Sequence, residues 1–156
     1  TTAKTYEMAA DLIRLGLDVG KINADTYDNN PFRKIELMRA LLNTLEISDD
    51  GKLAHWELRD ATRIGLDLLP DDSEGLIDLI RGVKGVRVAA FFEELEGGKI
   101  RVSMRSKDKG VNVCDVALQF GGGGHALAAG IRMAGPLEQA RAKVLAALGE
   151  ALDKAE

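Results

Sequence analysis

The residues of this sequence best suited to binding a ligand are four consecutive glycines followed by a histidine: Gly121, Gly122, Gly123, Gly124 and His125. They lie between a predicted helix over 112–120 and an alanine-rich turn over 125–129. Glycines let the backbone approach a ligand closely, and backbone N–H groups at a helix start favour an anion such as phosphate. The run therefore predicts an anion-binding loop in which the His125 imidazole donates to a phosphate oxygen. The alternative is a flexible loop tip without a ligand.

A basic strand predicted over 99–106 is the second feature suited to an anion. Between residues 99 and 109, five residues are basic and one is acidic. Strand alternation places the polar side chains of the strand on one side: Lys99, Arg101, Ser103 and Arg105. Arginine matches phosphate or carboxylate oxygens two at a time. If the strand lies beside the glycine run, the two features form one site. If it does not, its polar side is a solvated outer face.

The other chemically versatile residues do not form a recognisable catalytic or metal site. Neither histidine, His55 or His125, is accompanied by a cluster of His, Asp or Glu at metal-ligand spacing. His55 and Trp56 are predicted to pack at the surface, and Cys114 is predicted to be a buried structural thiol. Phosphate-loop, nucleophile-elbow and dinucleotide-binding motifs are absent from the sequence. The residues thus predict binding of an anionic ligand without an evident catalytic group.

The bulk composition is that of a globular domain. The 156 residues are 46% hydrophobic and 29% charged, and the net charge is −4. An acidic chain is unsuited to coating nucleic acid in general, although a local basic patch can still hold a phosphorylated ligand. A single cysteine excludes an internal disulfide and suits a reducing cytoplasm. No apolar stretch of the sequence is long enough for a membrane span.

Hydrophobic periodicity predicts a helical N-terminal segment followed by a domain that alternates strands and helices. Helices are predicted over 3–17, 20–27, 31–45, 60–66, 73–83 and 112–120, and from residue 136 onwards. Strands are predicted over 45–48, 52–58, 86–95, 99–106 and 130–134. The predicted fold class is therefore α/β, a mixed sheet of about five strands flanked by helices and preceded by an all-helical segment. The predicted domains are residues 1–45 and residues 46–156.

The basic strand and the glycine run occur together with a third short motif. In chain order the three are Val102-Ser103-Met104-Arg105-Ser106, then Val111-Asn112-Val113, then Phe120 to His125 with Ala128-Ala129-Gly130. This combination resembles the signature of the DHH-associated domain, the C-terminal half of DHH-family phosphoesterases. Within that family the sequence is similar to the branch of oligoribonucleases and 3′-phosphoadenosine-5′-phosphate phosphatases.

The resemblance implies that binding and chemistry are divided between two domains. Family members hydrolyse phosphodiester or phosphomonoester bonds at a two-manganese centre, whose ligands, an Asp-His-His motif among them, lie in the N-terminal domain. This sequence has no Asp-His-His, so it is expected to contain no catalytic residue and no bound cofactor, with Mn²⁺ in a missing DHH catalytic domain. By resemblance, Arg105 and His125 bind substrate phosphate. The full expected substrate-binding set is Arg101, Ser103, Arg105, Ser106, Gly121, Gly122, Gly123, Gly124 and His125.

The function that the resemblance implies is the substrate-binding C-terminal part of a cytoplasmic, manganese-dependent phosphoesterase that acts on short oligoribonucleotides or 3′,5′-bisphosphate nucleotides. The expected partners are short RNA or nucleotide phosphate, the missing DHH catalytic domain and a second copy in a homodimer, with no membrane. One alternative is the related domain appended to alanyl-tRNA synthetase, in which arginine-proline is expected in place of His125-Ala126. A second alternative is a free-standing interaction module whose function does not depend on Arg105.

Overall fold

The structure, a computed structural model, describes residues 1–155 of the chain. Contacts between residues divide the chain into two units, Thr1–Phe32 and Arg33–Glu156. The domain boundary after residue 45 stays a prediction. No helix in the described part of the chain is long and apolar enough to cross a bilayer.

The first unit contains two helices, α1 (Ala3–Arg14) and α2 (Val19–Tyr27). Thr2 begins α1 by accepting a hydrogen bond from the Thr5 N–H, as N-cap residues do. The helix ends before the predicted residue 17 because Gly16 adopts a left-handed φ of 97°. No residue of either helix is buried.

The second unit is a six-stranded sheet with helices on both faces. Its elements in chain order are α3 (Phe32–Leu42), β1 (Glu46–Ile47), β2 (Leu53–Leu58), α4 (Asp60–Gly65), α5 (Ile77–Arg81), β3 (Val88–Leu95), β4 (Lys99–Ser106), α6 (Val113–Gln119), β5 (Gly123–His125), β6 (Ala128–Ala134) and α7 (Leu137–Asp153). The strand order is β1-β2-β3-β4-β6-β5. Only the β2–β3 pair of this described sheet is parallel, and every other pair is antiparallel. The α/β class with a mixed sheet is confirmed, with six strands in place of about five.

Side-chain alternation along β3 builds a separate core on each face of the sheet. Val88, Ala90 and Phe92 pack on the face covered by α6 and α7. Ala89 and Phe91 pack on the opposite face, which is covered by α3 and α5. Because β2 and β3 are buried on both faces, they are apolar along most of their length.

Two predictions about individual residues are wrong for reasons visible in this arrangement. His55 and Trp56, expected at the surface, are 6% and 0% exposed because β2 lies inside the sheet and between two helical layers. The helix expected over 73–83 is shortened to Ile77–Arg81, since Gly75 adopts a left-handed φ of 74°.

Candidate anion-binding face

The sheet register brings Arg105 and His125 to the same face. Arg105 on β4 lies opposite Ala128 on β6, and Ala128 lies opposite His125 on β5. Residues that face each other across neighbouring strands project on the same side of a sheet. The backbones of Arg105 and His125 are two strand spacings apart, about 10 Å, which their long side chains can bridge toward a common ligand. The basic strand and the glycine run, predicted separately, therefore do converge.

The same register adds two further sets of residues that lie opposite one another on neighbouring strands; we call each such set a row. Ser103 on β4 lies opposite Gly130, which lies opposite Gly123, and Arg101 lies opposite Arg132. We call the side chains of these rows the polar face: Arg101, Ser103, Arg105, His125 and Arg132. They project on the side that carries α3 and α5, because their β3 partners Phe91 and Ala89 belong to that core.

A shallow cavity of about 370 Å³ lies at the end of the polar face that carries Arg101, Ser103 and Arg132. Glycines contribute much of its lining, namely Gly121, Gly122 and Gly130, and the other lining residues are Arg101, Val102, Ser103, Ile131 and Arg132. A lining without side chains lets a ligand approach the backbone. The cavity thus combines two arginines with a stretch of lining that has no side chains.

The cations of the polar face differ in whether their charge is already balanced. Arg101 donates to both carboxylate oxygens of the buried Glu93, at 2.7 Å each. These hydrogen bonds raise the pKa of Arg101 above its ordinary value. Arg105 instead donates only to the Met104 carbonyl, at 3.0 Å, and Arg132 has no ion-pair partner within residues 1–155. Arg105 and Arg132 are thus the cations left to attract an anion.

The structure explains the glycine run by backbone packing, and it corrects the predicted surroundings of that run. The expected helix start and turn over 125–129 are wrong, since the residues form the β5–β6 hairpin and the run follows the C-terminal end of α6. Gly121, with φ of 72°, and Gly122 donate their N–H groups to the carbonyls of Leu118 and Ala117. This is the Schellman pattern that ends helices. These two N–H groups are therefore already paired within the chain.

Close contact between β5 and β6 accounts for two of the glycines. A Cβ at Gly122 would collide with the Gly130 carbonyl oxygen, and one at Gly124 would lie 2.5 Å from the Ala128 oxygen. The Cys114 thiol, expected to be buried, is only partly buried and lies 3.3 Å from the Gly124 oxygen. The glycines thus let β5 close against β6, and this closure positions His125.

Ser106 lies apart from the other predicted site residues. Alternation along β4 turns it to the α6–α7 side with Met104, and it is 2% exposed. Its hydroxyl donates to the Asp108 carbonyl at 2.7 Å. Ser106 therefore holds the loop after β4 and has no place on the polar face.

Arg132 was not identified from the sequence. The signal was available, because Arg132 lies two residues after Gly130 in the strand predicted over 130–134 and so shares its side. Within residues 1–155, no three His, Cys, Asp or Glu side chains are grouped in a way that could hold a metal ion.

Residues 58–154 match the DHHA1 domain family. The match covers more than half of the chain, and the chain belongs to this family, as its motifs predicted. It is a DHHA1 domain of the DHH family, homologous to NrnA-type phosphoesterases.

Individual relatives agree with this assignment. The chain is 34% identical over 156 residues to the "bifunctional oligoribonuclease and PAP phosphatase NrnA" of Thermus thermophilus, covering 99% of this chain and 46% of that protein. It is 27% identical over 130 residues to the Bacillus subtilis protein of the same name, covering 83% of this chain and 40% of that protein. The chain thus spans less than half the length of these relatives.

Solved structures share the fold. An exopolyphosphatase-related protein from Bacteroides fragilis superimposes with a TM-score of 0.90 at 25% identity, over 100% of this chain and 46% of that one. A pGpG-specific phosphodiesterase, PggH, from Vibrio cholerae superimposes with a TM-score of 0.62 at 13% identity, over 99% of this chain and 52% of that one. The second likeness concerns the fold alone.

Proposed function

We propose that this chain is the substrate-binding part of an NrnA-type phosphoesterase, and that its polar face holds a phosphate of a short oligoribonucleotide or a 3′,5′-bisphosphate nucleotide. The observation that carries the proposal is the convergence of Arg105, Ser103 and His125 on one side of the sheet. The names of the Thermus and Bacillus relatives support the choice of ligand.

Arg105 and His125 have separate roles in this proposal. Arg105 offers a fixed positive charge with parallel N–H donors, which suits two oxygens of one phosphate. His125 is exposed at the end of β5 and supplies a donor from the opposite side of the ligand. Ser103 lies on β4 two residues before Arg105, opposite Gly130, and adds a hydroxyl on the same side. The three groups together orient the phosphate without acting on it.

The bond-breaking chemistry is assigned to residues outside this chain. The described residues do not fit a manganese site, because they contain no cluster of metal-binding side chains. We infer that a DHH catalytic domain provides that site and that this chain presents the substrate to it. A cytoplasmic location and a homodimer stay predictions.

A binding titration tests this proposal. Three forms of the chain, wild type, Arg105→Ala and His125→Ala, are each titrated with two ligands. The ligands are a 5′-phosphorylated diribonucleotide and adenosine 3′,5′-bisphosphate. Loss of a charge-assisted hydrogen bond of about 1.5–3 kcal/mol corresponds to at least a tenfold weaker affinity.

Arg39→Ala is the matched control, because Arg39 is an exposed arginine on α3 whose carboxylate neighbour, Glu36, is 3.9 Å away. It is expected to leave both affinities unchanged. Equal affinities for wild type, Arg105→Ala and His125→Ala would show that the polar face does not hold the phosphate. That result would favour the interaction-module alternative.

A further inference from the structure

A second cavity, of about 730 Å³, lies at the end of the sheet where β3 turns into β4. The loop between α4 and α5 contributes Leu68, Leu69 and Pro70, and Leu58 and Leu95 add further apolar lining. Pockets of about 300–1,000 Å³ with mostly apolar walls are typical of small-molecule sites. The cavity is therefore large enough for a ring system and apolar enough to favour one.

A hydrogen-bonded polar group interrupts these apolar walls. Ser73 donates to Glu93 at 2.8 Å, and Arg101 donates to Glu93 and, at 3.2 Å, to the Ser73 hydroxyl. All three residues line the cavity, and Glu93 is 3% exposed. The polar groups are thus held in fixed positions before any ligand arrives.

The cavity is continuous with the polar face. Arg101 and Arg132 line both this cavity and the smaller one beside Ser103. Along β4, Arg101 and Arg105 are four residues apart, which corresponds to about 14 Å of extended strand. A ligand held at Arg105 can therefore extend along β4 to the cavity.

We propose that this cavity is a nucleobase-binding subsite, which receives the base of the nucleotide that follows the one whose phosphate lies at Arg105 and His125. This inference rests on the proposed function, because it takes that phosphate as its anchor. The separation along β4 exceeds the reach from a phosphate to the base of its own nucleotide, so the base in the cavity belongs to a neighbouring nucleotide.

The chemistry of the lining favours a neutral aromatic ring over a second anion. Charges of both signs line the cavity and nearly balance, with Glu93, Glu94 and Glu96 against Arg63, Lys99, Arg101 and Arg132. Because Arg101 is paired with Glu93 and Arg63 with Asp60, the lining does not concentrate positive charge for a second phosphate. Arginine guanidinium planes and apolar side chains both stack on nucleobases. Arg132, with its charge unbalanced, lies at the junction of the two cavities, where it can hold the phosphate that links the two nucleotides.

The test compares two ligands that differ only in that base. One is a 5′-phosphorylated diribonucleotide, and the other is the same molecule with an abasic second residue. The cavity is altered by Leu69→Asp, and Leu79→Asp serves as the matched control. The two leucines are 56% and 52% exposed, and Leu79 does not line the cavity, so both substitutions spare the core.

We expect the wild-type chain and Leu79→Asp to bind the complete diribonucleotide at least tenfold more tightly than the abasic one. Leu69→Asp is expected to remove this difference and to leave the affinity for the abasic ligand unchanged. A base-dependent affinity that survives Leu69→Asp would overturn the subsite, and so would equal affinities for the two ligands in wild type. Arg105→Ala separates the two proposals. If this substitution does not lower the affinity for either ligand, or if neither ligand binds to wild type, the proposed function fails and the subsite fails with it.

Discussion

Glu93 and Arg101 face each other across β3 and β4 and form a two-pronged ion pair in which both N–O distances are 2.7 Å. Glu93 is almost fully buried, whereas the Arg101 side chain is about one-third exposed. The pair removes Arg101 from the cations that can attract an anion and fixes it in the lining that the two cavities share. Arg101 is predicted from the sequence to bind phosphate, and the structure pairs it with Glu93.

Removing the Glu93 charge is expected to destabilise the second unit. Glu93→Gln leaves a partly buried guanidinium without its counter-charge, which costs about 3–5 kcal/mol at a fully buried site. Partial exposure of Arg101 reduces the expected loss to about 2 kcal/mol. Urea unfolding measures it. Asp78→Asn, which breaks the exposed Asp78–Arg81 pair on α5, is the control and should cost less than about 1 kcal/mol. Equal losses in the two variants would contradict a stabilising role for the Glu93–Arg101 pair.

The salt dependence of oligonucleotide binding should report the number of phosphate contacts. Each contact with a single strand contributes about 0.7 to the slope of log K against log salt concentration. Arg105→Ala is therefore expected to reduce that slope by about 0.7. The measurement is a titration at several salt concentrations. Arg39→Ala should keep the wild-type slope, and an unchanged slope in Arg105→Ala would place the phosphate elsewhere.

Gly122 should tolerate a side chain far less well than its neighbour Gly123. A Cβ at Gly122 meets the Gly130 oxygen and approaches Ile131 to 3.1 Å, whereas a Cβ at Gly123 meets nothing within 4 Å. Gly122→Ala must push β5 from β6 and is expected to cost about 1–3 kcal/mol. Gly123→Ala should be neutral or slightly stabilising, because it restricts the unfolded chain. Urea unfolding of the two variants compares them, and similar stabilities would mean that the β5–β6 contact is not tight.

The basic strand is the element that the sequence predicts best. Its apolar and polar residues alternate without interruption, and the structure places β4 over the predicted residues 99–106. That alternation is also what puts Arg101, Ser103 and Arg105 on one side. It turns Ser106 to the other side, so the same pattern argued against Ser106 as a site residue.

The glycine run is the element that the sequence predicts least well. A strand of Gly-Gly-His has no apolar alternation, so nothing local indicates that β5 exists. It forms by pairing with β6 across the two-residue turn Ala126-Leu127, which carries none of the residues typical of such turns. The large cavity was missed for a different reason, since its lining comes from segments between Leu58 and Ala134 that only the fold brings together.

His55 should make the stability of the chain depend on pH. It is buried in β2, its Nδ1 has no hydrogen-bond partner within residues 1–155, and its ring packs edge-on against Phe92. Burial is the largest influence on its pKa and lowers it; Arg141 lowers it further, and Glu46 and Glu57 oppose the shift. The unfolded chain, with a histidine pKa of about 6.5, therefore binds a proton more readily than the folded chain.

The stability that neutral His55 contributes is therefore fully present above a pH of about 6.5, and it is lost as the pH falls from there through the lowered pKa of folded His55. His55→Gln removes the titrating group, so its urea midpoint should fall less between pH 7 and pH 5 than that of wild type. His125→Gln is the matched control, because it replaces an exposed histidine outside the core with the same residue. If the urea midpoints of His55→Gln and wild type fall equally over this range, titration of His55 is not the source of the pH dependence. The loss of stability would then come from carboxylates.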